Sequence, residues 1–150
     1  MTTKTAPIQT ISTRLIGRWE QTAGKLATLA EEFPEKEYEF KPADGIRTVG
    51  EVLRHVAFWN QYVAGIARGE KPDDTSNELS KAEYATKAQT VRALQRSAAD
   101  AADALKAHQP ELAQELAETV VTFIEHTSEH YGQLVVYARL QEIVPPSSCG

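Results

Sequence analysis

Apolar residues recur every three to four positions along almost the whole chain, and prolines or glycines interrupt the pattern in only a few places. A period near 3.6 commits a chain to helices that each bury one face. No stretch alternates apolar and polar residues long enough to argue for a sheet. There is also no internal repeat and no low-complexity tract.

The breaks divide the chain into four helical segments. The first runs from Ile8 to Glu32, with Ile11, Leu15, Trp19, Leu26 and Leu29 on one stripe, and Pro34 ends it. The charged stretch Glu35–Gly45 reads as a connection. The second segment starts at Thr48, an N-cap with Glu51 three residues on, as in a capping box. Its stripe is Val52, His55/Val56, Trp59, Tyr62/Val63 and Ile66, closed by Gly69 and Pro72.

Ser80, with Glu83 three residues on, is a second cap, and opens a third segment that reaches Ala107. Glu83 and Lys87 read as an exposed i,i+4 pair. Pro110 suits the first turn of a fourth segment over Glu111–Glu142. At 1.5 Å per residue that helix would be roughly 45 Å long, so a kink or short break is expected within it. Pro145 and Pro146 stop it. Four segments with three connections predict an all-α, antiparallel four-helix bundle, one domain over residues 1–150 with loose tails at 1–7 and 145–150.

Charge and composition narrow the function. Sixteen Lys and Arg against 21 Asp and Glu give a net charge of −5, which argues against a general nucleic-acid binder. The longest apolar runs, such as Leu134–Ala138, are far too short to cross a membrane. The first ten residues lack the apolar core of a signal peptide. The single cysteine, Cys149, can form no intrachain disulfide. A cytoplasmic protein is expected.

The chemistry lies in the histidines. There are four in the chain. His126 and His130 are one helical turn apart, which puts their Cβ atoms about 5–6 Å apart on one face. Their stripe reads Leu112, Leu116, Thr119, Phe123, His126, His130, Leu134, Tyr137, so apolar residues flank the pair on both sides. His55 sits the same way on the second segment, between Val52 and Trp59. Two inward stripes can meet in a bundle core, and three neutral imidazoles with a fourth position open suit catalytic zinc; nickel, cobalt and ferrous iron also accept imidazole. The alternative is three hydrogen-bonded core histidines, which would leave several ring nitrogens needing partners. His108, at the end of the third segment, suits a helix C-terminus and no metal.

The run His126–His130 also matches HxxEH, the inverted zincin signature with Glu129 as base. That reading needs a distant downstream carboxylate. The only acidic residue after His130 is Glu142, about three turns along the same helix, which cannot fold back. Metal-bound imidazoles donate their other N–H to an acceptor, and Glu51, Thr122, Glu129 and Gln133 are placed for it. For each, a surface charge or a bond within its own helix is the competing reading. Gly132 in mid-helix suggests close approach of a neighbouring helix. Phe58, Trp59, Tyr62 and Tyr131 could line a pocket near the histidines, with plain core the simpler reading of Trp59.

Two stretches resemble the DinB-like (DinB/YfiT) metal-binding four-helix bundles: Gly45–Trp59, with the histidine of the second segment, and His126–Pro146, an H-x-x-x-H-x-G-Q run followed by an arginine and terminal prolines. The resemblance implies that His55, His126 and His130 hold one divalent metal, nickel or zinc, with open positions for water or substrate. It implies a homodimer. Some relatives are S-transferases or isomerases that use a low-molecular-weight thiol, and many others have no known activity. Thiol S-transfer on a small-molecule substrate is the leading expectation, with Tyr62 or Tyr131 as candidates to orient the substrate. Metal-assisted hydrolysis and a non-catalytic metal- or ligand-binding stress-response bundle are the competing expectations. One departure stands out: the family often carries glycine near the position of Glu142.

Overall fold

The computed structural model of the protein describes residues 9–146. Ile8, Cys149 and the tails 1–7 and 147–150 lie outside the described residues. Four α-helices span Ile11–Glu32 (α1), Val49–Ala67 (α2), Lys87–Lys106 (α3) and Gln114–Leu140 (α4), and no strand occurs among the described residues. The all-α bundle expected from the periodicity is present.

Local chemistry accounts for most of the helix ends. Thr10 caps α1 by accepting from the Thr13 N–H. Thr48 and Glu51 form the expected capping box on α2. The expected start of the third helix at Ser80 is corrected. Ser80 only closes a turn with Glu83 and Tyr84, and a second capping box, Thr86 with Gln89, starts α3 at Lys87. Lys87 therefore pairs across the bundle with Glu31 rather than with Glu83.

Pro110 is likewise corrected. It lies in the connection before α4, where its carbonyl accepts from Thr10 Oγ1 and the neighbouring Leu112 N–H donates to Ser12 Oγ. Those long-range bonds hold the segment open, and α4 begins only at Gln114. No break occurs in α4, which runs unbroken for 27 residues. The acidic connection also holds an unexpected 3-10 turn over Glu35–Glu39, because Tyr38 turns inward and donates to the Ala30 carbonyl. At the other end of the chain, Pro145 of the expected loose tail is buried.

Helix direction follows from which ends touch. The start of α1 meets the segment before α4, and His108, just after α3, lies against the Ala67 carbonyl at the end of α2. At the opposite end, Lys87 at the start of α3 bonds the end of α1, and Tyr137 near the end of α4 donates to the Arg47 carbonyl just before α2. So α1 and α4 run one way, and α2 and α3 the other. Helices α1 and α2 each pack on both α3 and α4, which leaves α1–α3 and α2–α4 as the antiparallel contacts. This order needs one long crossover. Residues 68–86 supply it, returning along α2 to the end where α2 began. Gly65 lets it pass closely: a Cβ there would sit 3.0 Å from Pro72 Cβ.

The core has two apolar parts. One gathers Leu26, Leu29, Phe33, Val52, Leu53, Val56, Leu94 and Leu134; the other gathers Ile16, Trp19, Val63, Ala101, Leu105, Leu116 and Val120. Each buried Leu, Ile, Val or Phe among them contributes about 1.5–3 kcal/mol by leaving water. On α2 and α3 a polar level separates them, where buried Asn60 donates to Ser97, whose hydroxyl donates to the Leu94 carbonyl.

Candidate metal centre

His55 lies on the first half of α2, His126 at the middle of α4 and His130 just past it. Antiparallel packing of these helices brings the three together. Their ring centroids are 4.6 to 4.8 Å apart pairwise. One nitrogen from each lies within 4.8 Å of the others, and among the described residues this cluster could hold a metal ion. His55 is buried, and His126 and His130 are half-buried.

The hydrogen bonds assign the tautomers. His55 Nδ1 lies 2.6 Å from the Asn77 carbonyl oxygen, so it carries the proton and leaves Nε2 as an acceptor. His130 Nδ1 donates to Gln133 Oε1 at 2.8 Å; Gln133 Nε2 donates to Tyr137 Oη, and Tyr137 donates to the Arg47 carbonyl. This chain also leaves Nε2 of His130 as the unprotonated atom. His126 Nε2 lies 2.8 Å from His55 Nε2 and must donate to it, which leaves His126 Nδ1 buried with no partner.

The orphaned Nδ1 is on the other side of the ring from that contact, and an ion bound at Nε2 would leave it a donor without an acceptor. What invites an ion is the Nε2–Nε2 contact itself, where the nitrogens of two neutral rings share one proton. A divalent ion fits it. Donors at about 2.1 Å from one ion are about 3–4 Å apart, close to the separations seen here, and metal–nitrogen bonds would replace the contact between His55 and His126.

Electrostatics favour neutral rings. Burial, opposed by the Asn77 bond, pushes His55 down to about 4, and Arg47 and His130 push the same way. Burial, then His130, His55 and Arg47, takes His126 to about 3. His130 is lowered chiefly by burial, and the Gln133 bond opposes it. Neutral imidazole is the form that ligates a metal.

Of the expected outer groups, only Gln133 touches a histidine. Glu51 accepts from the Thr48 N–H as part of the cap, and Thr122 donates to the Glu118 carbonyl of its own helix. Glu129 is exposed. His108 caps the end of α2 rather than its own helix. Asn77 was not legible in the sequence as a partner of His55. Its φ of 62° is the left-handed region, which Asn tolerates better than most residues. The next residue, Glu78, pairs with buried Arg54 at 3.0 Å, and Leu79 N–H donates to the Arg54 carbonyl. Those two bonds fasten the crossover to α2 at the level of His55.

Trp59 is corrected from plain core to one side of the site. It is half-buried, stacks on Phe123 with centroids 5.3 Å apart, lies 6.4 Å from the His126 ring, and donates from Nε1 to Asn77 Oδ1. Tyr62 joins this aromatic wall through Trp59 and Phe123. Phe58 is buried beside Trp59. Tyr131 lies where α4 meets α1, with Lys25 Nζ 4.5 Å from its ring centroid.

A cavity of about 550 Å³ adjoins the cluster through Gln133, and Arg47, Glu51 and Glu78 also line it. A second cavity, of about 500 Å³, lies between α1 and α3 among Ala23, Gly24, Ala27 and Ala98, with no histidine in its lining. Among the described residues, no helix is long and apolar enough to cross a membrane.

The family model described as the DinB superfamily matches residues 18–134, a span that includes all three histidines. No curated protein matches the sequence.

Proposed function

The chain belongs to the DinB superfamily, and from that premise we propose that it is a metal-dependent enzyme of the thiol S-transferase type, acting on a small molecule in the cytoplasm as a homodimer. The observation that supports this best is the convergence of three neutral histidines beside an accessible cavity. A divalent ion there, nickel or zinc, would supply a Lewis acid with an open position that favours the thiolate form of a bound thiol.

The chain's own residues do the rest. His55, His126 and His130 hold the ion. The Asn77 carbonyl and Gln133 fix the orientation of two of the rings. Trp59, Phe123 and Tyr62 shield one side from water. The cavity beyond Gln133 admits the substrate.

Elemental mass spectrometry on untagged protein tests the site. About one equivalent of metal is expected in the wild type, and almost none in His126→Ala/His130→Ala. Loss of thiol consumption in the presence of an electrophilic aryl chloride should accompany the double substitution. Turnover that survives it would overturn the proposed role of the metal. No metal in either protein after incubation with zinc and nickel would leave a bundle with core histidines.

A further inference from the structure

Among the described residues, the cavity beside the histidines contains one cation without a partner. Arg47 is half-buried in the last residues before α2. Its carbonyl is fixed by Tyr137, within the same hydrogen-bonded chain that reaches His130 through Gln133. Its guanidinium makes no hydrogen bond or ion pair among the described residues, although an arginine offers five donors. The two carboxylates lining the same cavity are engaged elsewhere: Glu51 with the Thr48 N–H, and Glu78 with buried Arg54. The charge of Arg47 is felt by all three histidine rings, and Gln133 both lines the cavity and touches His130.

We propose that Arg47 binds a carboxylate on the substrate whose other end lies at the histidine cluster. This rests on the metal-dependent reading above and names the substrate's chemical class. A guanidinium matches a carboxylate with two parallel hydrogen bonds. A divalent ion among neutral ligands, together with Arg47, makes this end of the bundle locally positive in a protein of net charge −5, and so attracts anions. Glu51 and Glu78 set an upper limit on that attraction. They stand in the same cavity wall and oppose a doubly charged phosphate more than a singly charged carboxylate. A cavity of about 550 Å³ takes a small molecule that reaches both ends.

The test uses two thiols that differ only in charge, 3-mercaptopropionate and 3-mercaptopropionamide, titrated into the cobalt-loaded full-length protein. Thiolate binding to cobalt is read from the near-ultraviolet charge-transfer band. The wild type is expected to bind the carboxylate about tenfold more tightly than the amide, in line with one charge-assisted hydrogen-bonded pair at a half-exposed site. In Arg47→Gln the ratio should fall to near one, with cobalt content unchanged. Arg47→Lys should keep part of the preference. Equal affinity for the two thiols in the wild type, or an unchanged ratio in Arg47→Gln, overturns this inference and leaves the metal site standing. Failure of both thiols to bind the cobalt-loaded protein overturns the thiol reading and this inference with it.

Discussion

The Nδ1 of His55 lies 2.6 Å from the carbonyl oxygen of Asn77, a residue 22 positions further along the chain. One helix thus supplies the imidazole, and the crossover returning along that helix fixes how the ring points. The same asparagine accepts from Trp59 through its side chain, so a single left-handed residue holds both a ring of the histidine cluster and the aromatic wall beside it.

Asn77→Val should therefore loosen the metal without touching a ligand. A β-branched residue does not tolerate a φ of 62°, and the carbonyl turns away from His55. Loss of such an outer partner weakens metal binding by about 10- to 100-fold. Asn77→Gly keeps the backbone conformation and the carbonyl, and should bind metal almost as the wild type does. Competition against a chromophoric chelator reads both. Wild-type affinity in Asn77→Val would show that the carbonyl does not position the ring.

Glu142 occupies the other non-glycine left-handed position among the described residues, with a φ of 59°. Its N–H donates to the Arg139 carbonyl, and the Ile143 N–H donates to the Ala138 carbonyl at 2.8 Å. This is a Schellman motif, normally closed by glycine. The glycine expected near this position from the resemblance would suit this turn; here the turn is kept, and its conformational cost is borne by a side chain. Glu142→Gly should raise stability by about 1 kcal/mol, seen as a higher denaturant midpoint with an unchanged slope. A lower midpoint would contradict the motif.

Gly132 does not mark a close helix contact, contrary to what its place in mid-helix suggests. It is exposed, and a Cβ there would meet nothing within 4 Å. Gly132→Ala should then stabilise the protein by about 0.5–1 kcal/mol through helix propensity alone. Thermal unfolding of both proteins, alongside their metal content, checks this; content should not change. A fall in stability would mean that this face of α4 is covered in solution.

What could be read along the chain was what depends on residues a few positions apart. The apolar period placed four helices, Thr48 and Glu51 marked the start of α2, and the i,i+4 spacing of His126 and His130 put both on one face. Such features rest on bonds between near neighbours, whose geometry the helix itself imposes. Where two local signals competed, the choice was not local. Ser80 with Glu83 and Thr86 with Gln89 are both capping patterns, and the second begins the helix, where the Lys87 N–H meets Glu35 and its ammonium meets the Glu31 carbonyl. Pro110 offered a helix start that contacts with Thr10 and Ser12 override.

The meeting of His55 with the α4 pair, the parallel course of α2 and α3, and the delivery of Asn77 and Arg47 to the site were decided by tertiary structure. Each joins residues tens of positions apart, and no periodicity encodes which of several inward faces will pack together. The sequence determined that three histidines face inward on two helices. Packing of those helices, with the crossover fastened by buried Arg54 and Glu78, decided that they converge, because only the assembled core removes enough apolar surface from water to hold polar rings together in its midst.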